Sequence, residues 1–138
     1  MRRSITTVVL LALSLGTRAQ SLSIDLVLNR AGGGTVRLVL CPDEASFATE
    51  KGCVLKSAKA VGPVVRMQFP DPAPGTYAVK VFHDVNDNGV LDTNWMGIPK
   101  EPYGFSNDAM GTFGPPSFQQ ASFKVGVGTN AVRIRMKG

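Results

Sequence analysis

An all-β chain, folded as a single antiparallel β-sandwich of about seven strands with one long ordered loop, is predicted by three features of the sequence. Apolar and polar residues alternate with a period of two in segment after segment. Glycine and proline clusters separate those segments, and no stretch carries a helical period of useful length. A length of 138 residues suits one domain, and an immunoglobulin-like or prealbumin-like sandwich is how such strands pack. With 43% hydrophobic and 18% charged residues the chain can bury a core, unlike disordered acidic or basic chains, and it lacks the composition of a multi-span membrane protein.

Residues 1–19 read as a secretory signal. Arg2 and Arg3 precede an apolar run from Ile5 to Leu15, and Thr17-Arg18-Ala19 offers small residues before a cut ahead of Gln20. The run is about half the roughly 20 residues a spanning helix needs. The expected product is a soluble exported domain, residues 20–138, periplasmic or secreted, with no integral membrane segment. The formal charge of +5 falls to +2 once the three arginines of the signal are removed, which argues against nucleic acid as a partner.

The strands follow in order. Leu22, Ile24, Leu26 and Leu28 alternate with Ser21, Ser23, Asp25 and Val27, and Val36, Leu38 and Leu40 alternate with Arg37, Val39 and Cys41. Asn29 to Gly34 joins them as a glycine-rich turn; no helix pattern and no Lys-Ser/Thr pair follows, so it is not a phosphate-binding loop. A short helical turn fits Glu44 to Phe47, and a short strand fits Cys53 to Ala60. Val65, Met67 and Phe69 form the next strand, broken by the proline-rich Pro70 to Gly75. Tyr77, Val79, Val81 and His83 share one face of its successor, and Gly75-Thr76-Tyr77 resembles a tyrosine corner, whose hydroxyl bonds back to upstream backbone. Phe123 and Val125, then Val132, Ile134 and Met136, complete the set.

Cys41 and Cys53 belong to no CxxC or Cys/His cluster, so zinc and redox motifs are disfavoured. In an oxidising compartment the expected reading is a disulfide.

The sharpest motif is Asp84-Val85-Asn86-Asp87-Asn88-Gly89-Val90-Leu91-Asp92. Oxygen side chains at Asp84, Asn86, Asn88 and Asp92, a glycine at the sixth position and the Val90 carbonyl at the seventh match the wrapping of a calcium loop. Trp95 stands where an EF-hand places its bidentate glutamate, so Thr93, Asn94, Glu101, Asp108 or water would have to complete the shell. A metal-free turn is the alternative, because Asn88-Gly89 suits a type I′ hairpin and Asp/Asn side chains satisfy their own backbone.

Residues 94–119 show no period yet hold Trp95, Tyr103, Phe105, Phe113 and Phe118, too many rings for a solvated linker. The expectation is an ordered loop pinned over the mouth of the sandwich by those rings and by Pro99, Pro102, Pro115 and Pro116, with a small-ligand or glycan surface as the alternative. His83 is the only histidine, placed to orient the loop rather than act as a base, and no spacing selects a carboxylate pair for glycoside hydrolysis. The chain is therefore expected not to be an enzyme.

The run GTYAVKVFHDVNDNGVLDTNWMGIPKEPYGFSNDAMGTFGPPSF, residues 75–118, resembles the exported bacterial family called domain of unknown function 2141. The resemblance implies a secreted or periplasmic β-sandwich and brings no catalytic residues. Its matching positions His83, Asp84, Asn86, Asn88, Asp92, Glu101, Tyr103, Phe105 and Asn107 mark where a function common to the family would lie. His83, Trp95, Glu101, Tyr103, Phe105 and Asn107 are the candidate ligand surface, with Trp95 or Tyr103 as a stacking ring. Residues 81–118 carry five acidic side chains against Lys100 alone, which favours a cation such as Ca2+ over a nucleic acid as the bound partner, an envelope glycan on the aromatic surface being the alternative ligand.

Overall fold

A computed structural model describes residues 20–30 and 32–138; the signal reading of residues 1–19 lies outside them. Among the described residues, eight strands form the sandwich: β1 (Ser21–Val27), β2 (Thr35–Cys41), β3 (Val54–Lys59), β4 (Val64–Pro70), β5 (Gly75–Asp84), β6 (Tyr103–Phe105), β7 (Phe123–Val125) and β8 (Thr129–Arg135). Two short helices, α1 (Glu44–Thr49) and α2 (Phe118–Ala121), and a 3₁₀ turn at Ser106–Asp108 complete it. One sheet has the order β4-β1-β8 and the other β3-β2-β5-β6, with β7 also pairing β5. All ladders are antiparallel except β1 with β8, which run parallel in the register Ile24 to Val132.

The alternation dictates the packing. Leu22, Ile24 and Leu26 of β1 and Val65, Met67 and Phe69 of β4 face Val36, Leu38 and Leu40 of β2 and Val79 and Val81 of β5 across one core. A fully buried Leu or Ile contributes about 1.5–3 kcal/mol, so these positions dominate the stability. The polar faces look outward; on the three-stranded sheet Asp25 takes two hydrogen bonds from Arg66, at 2.6 and 2.9 Å.

The tyrosine corner is present: the Tyr77 hydroxyl donates to the Ala73 carbonyl at 2.7 Å. The disulfide joins Cys41 to Cys53 and ties α1 to the sheet. The helix starts where expected, with Asp43 accepting from the Ser46 N–H at 2.7 Å as its N-cap. Its Phe47 enters a second apolar cluster on the outer face of the larger sheet, with Cys41, Ala78 and Ala121.

Residues 94–119 are ordered but do not form one lid over the mouth. After the turn that follows β5 the chain runs back down the outer edge of that strand. There β6 pairs Lys80 to Phe82 and, farther along, β7 pairs Gly75 to Tyr77. Between them the ladder is completed by a side chain: the Val79 N–H donates to Ser106 Oγ at 2.9 Å, and that hydroxyl donates to the Ala121 carbonyl. The ring-pinning expectation needs a matching correction. Tyr103, Phe105 and Phe118 are half-buried, and Phe47 packs edge-on to Phe118 at 5.9 Å, but Trp95 and Phe113 are 90% and 102% exposed and pin nothing. Trp95 sits in a turn closed on itself by the Asn94 N–H to the Ile98 carbonyl at 2.9 Å, with its ring left outside.

Closing the loop between Cys41 and Cys53 stabilises the fold by about 3 kcal/mol, chiefly by restricting the unfolded chain. Reduction is expected to lower the melting temperature by roughly 10 °C, measured by circular dichroism with and without reductant.

Candidate functional site

β5 carries two buried polar residues at its end, and they face opposite ways. His83 points to the core side, 1% exposed, with Nε2 at 2.6 Å from the Gly33 carbonyl. It therefore holds the glycine-rich β1–β2 connection, not the acidic loop it was expected to orient. Its Nδ1 is buried without a hydrogen-bond partner among the described residues. Gly34, at φ 70°, lies against the Asp84 carbonyl so closely that a Cβ there would collide with it.

Asp84 points to the outer face, yet is 0% exposed because the loop that follows curls over it. Its Oδ1 accepts the Asn88 N–H at 3.1 Å, and its Oδ2 accepts the Gly89 N–H at 2.8 Å and Arg37 Nε at 2.7 Å. Arg37 comes from β2, where Thr35 is the residue paired with Asp84, so the sheet register sets the ion pair. Burial pushes the Asp84 carboxyl up, but the hydrogen bonds from Arg37, Gly89 and Asn88 outweigh it and hold the group below its ordinary value of 3.8.

A second buried carboxylate closes the loop from the other side. Glu101, 6% exposed, accepts the Val85 N–H at Oε1 and the Asp92 N–H at Oε2, both at 3.0 Å. The two acids thus clamp both ends and the glycine turn of a single loop, whose Asp87 and Gly89 take left-handed φ values of 55° and 86°. Above them Asn86 Nδ2 donates to Asp92 at 2.7 Å, and Asn88 Nδ2 donates to both Asp92 oxygens at 2.8 and 3.0 Å. The amide nitrogens of Asn86 and Asn88, not their oxygens, therefore face the Asp92 carboxylate. Val90 stands at the loop surface, 60% exposed. Among the described residues, no group of three or more His, Cys, Asp and Glu side chains is placed to hold a metal ion.

The next turn is a smaller copy of the same device. Asn94 Oδ1 accepts the N–H groups of Met96 and Ile98, at 2.9 and 3.0 Å, and the turn projects Trp95, Met96 and Ile98, which are 90%, 57% and 53% exposed. Lys100 N–H to the Asp92 carbonyl, at 2.8 Å, ties this tip to the clamp below.

A model of the family described as "Uncharacterized protein conserved in bacteria (DUF2141)" matches residues 26–133, which span both sheets and the clamp. The chain belongs to this family. No curated protein and no solved structure matches it. Among the described residues no helix is long and apolar enough to cross a membrane.

Apart from His83, buried against the Gly33 carbonyl, the candidate residues of this family member divide into three places. Asp84, Asn86, Asn88, Asp92 and Glu101 converge on the clamp, with Val90 on its rim and Trp95 at the adjoining tip. Tyr103 and Phe105 stand on β6, with ring centroids 6.1 Å apart. Asn107 lies away from the clamp, in left-handed conformation at φ 61°, donating to the carbonyls of Gln120 and Ser122 at 3.1 and 2.7 Å. Sequence reasoning missed Arg37 and Ser106. Arg37 occupies an outward strand position that a solvated charge would also occupy, and nothing near Ser106 in the chain names its partners.

Replacing Asp84 by Ala leaves Arg37 and two N–H groups without their acceptor and is expected to cost about 3 kcal/mol, read by denaturant melts. The acid dependence follows from the lowered carboxyl. Its stabilisation is complete above the unfolded value of about 3.8 and is lost as pH falls through the lower folded value. Asp25, Asp43, Asp87 and Asp108 are lowered too, by hydrogen bonds from Arg66, Ser46, Thr35 and the Arg135 backbone respectively. The Asp84→Asn variant should therefore show a shallower, not a flat, loss of melting temperature below pH 4.

Proposed function

We propose that the protein is an exported, non-catalytic recognition module in which the sandwich is the carrier, the clamped loop a rigid mount and Trp95 the contact residue. The ligand class is a sugar ring of a cell-envelope glycan. One observation carries this reading: a ring 90% exposed stands on a loop whose anchoring carboxylates, Asp84 and Glu101, are 0% and 6% exposed. Holding an indole in water costs apolar hydration, while a fixed mount lowers the entropy lost when a flat apolar face settles on it. Met96 and Ile98 beside it widen the apolar tip.

Trp95 is the only tryptophan, so fluorescence excited selectively at the indole, where the two tyrosines do not absorb, reports on this residue alone. Titration with solubilised envelope glycan should shift Trp95 emission to shorter wavelength, and Trp95→Ala should abolish binding without changing the melting temperature. Unchanged emission across envelope glycans, with binding retained in the variant, would sink the proposal.

Calcium belongs to a second reading, favoured by the way Asn86, Asn88 and Asp92 converge. A cation there requires both amides to turn their oxygens inward, and Arg37 already neutralises Asp84, so any binding is weaker than in a loop with four free carboxylates. A rise in melting temperature with Ca2+ that Asp92→Ala removes supports it; no shift in the parent protein refutes it.

A further inference from the structure

The core is open to water along one side of the sandwich. β3 and β4 are edge strands, one in each sheet, and no strand among the described residues bridges the gap between them. Val54 lies opposite Leu40 in the β2–β3 register and so belongs to the core-side face of its sheet. Leu40 is buried, yet Val54 is 53% exposed. At this point the gap is a cavity of ≈ 460 Å³, lined by Leu40, Val54, Phe69, Pro70, Pro72 and Tyr77. That volume lies within the roughly 300–1,000 Å³ of small-molecule sites. Its end wall is fixed, because the Asp71 N–H donates to the Gln20 carbonyl at 2.9 Å and the Tyr77 hydroxyl to the Ala73 carbonyl.

One cation reaches into the gap. Lys56 is the next core-side position of β3, opposite Leu38. A lysine keeps its ammonium near water, so the stem runs along the gap. Its Nζ stands 4.9 Å from the centroid of the Phe69 ring, which lines the cavity, and donates to the Gln68 carbonyl of β4. An ammonium carries three donors, and no carboxylate lies within ion-pair distance of this one among the described residues. Asp71, the acidic residue of the lining, is exposed on the turn that follows β4.

We infer that this gap binds a small amphipathic carboxylate. The apolar body completes the core-side face on Leu40, Val54, Phe69 and Tyr77, and the carboxylate takes the remaining donors of Lys56. A bare anion would leave the apolar walls wet, and an apolar amine would meet the ammonium with like charge. A sugar would find walls with few polar groups. The site is separate from the Trp95 tip: Leu40 is five residues along β2 from Thr35, the partner of Asp84, which is roughly 17 Å.

Two sources offer this chemistry, a short acyl chain and an aromatic acid. Octanoate and 3-phenylpropionate represent them in isothermal titrations of the protein, with acetate and octylamine as controls. At least one of the two acids should bind, more weakly as ionic strength rises, and the tighter one names the source. Acetate and octylamine should bind at least about tenfold more weakly. Lys56→Met keeps the apolar stem, removes the charge and should weaken binding about tenfold, while Val54→Glu sets a carboxylate in the mouth and should abolish it. Both positions reach solvent, so unchanged melting curves will show that the variants fold, and Lys56→Met carries the test if Val54→Glu does not. No binding of either acid by the parent protein, or undiminished binding by Lys56→Met, overturns the inference. Octylamine binding as well as the acids reduces the gap to an apolar surface, and acetate binding as well reduces it to an anion site; either overturns the ligand class. A response of Trp95 emission to the acids would move binding to the loop tip and overturn the site.

Discussion

A carboxylate withdrawn from water at the end of β5 must be neutralised and given hydrogen-bond donors, and the loop above it takes the shape that does both. Asp84 is fully buried, and its two oxygens receive a guanidinium from β2 and two consecutive N–H groups of the turn. Left unpaired, such a charge would cost several kcal/mol, so the turn and the register of β2 against β5 are coupled through one side chain. Glu101 repeats the arrangement from the far end, which makes the loop a closed unit rather than a flexible span. The exposure of Trp95 has meaning only against that rigidity.

The same logic of satisfied backbone governs the edge of β5. A ten-residue strand cannot leave its outer N–H and C=O groups bare beside a packed face, so β6, the Ser106 hydroxyl and β7 cover it in succession. The long segment between β5 and β7 is therefore spent on covering an edge and on packing α2 against α1.

Much of this was legible in the chain itself. Period-two runs placed Leu22, Ile24, Leu26, Val36, Leu38 and Leu40 in the core, because a strand alternates its side chains whatever its neighbours are. Gly75-Thr76-Tyr77 marked a hydrogen bond only four residues long in sequence, and Cys41 with Cys53 marked a disulfide that the fold contains. Asp84, Asn86, Asn88 and Asp92 were recognisable as one loop for the same reason: their spacing is local. The parallel pairing of β1 with β8 was not legible, since alternation reports which face a residue occupies and not which strand lies beside it.

The sequence by itself determined the strands, the core face of each, the disulfide and the outline of the clamp, all of which depend on residues close in the chain. Only the tertiary structure decided that Arg37 neutralises Asp84, that His83 turns away to the Gly33 carbonyl, that Ser106 completes the β5 ladder and that Trp95 and Phe113 stay in solvent. Each of these rests on a partner tens of residues away or on the absence of a covering element. Such facts are fixed by register and by the direction in which a loop leaves its strand, which local propensity does not encode.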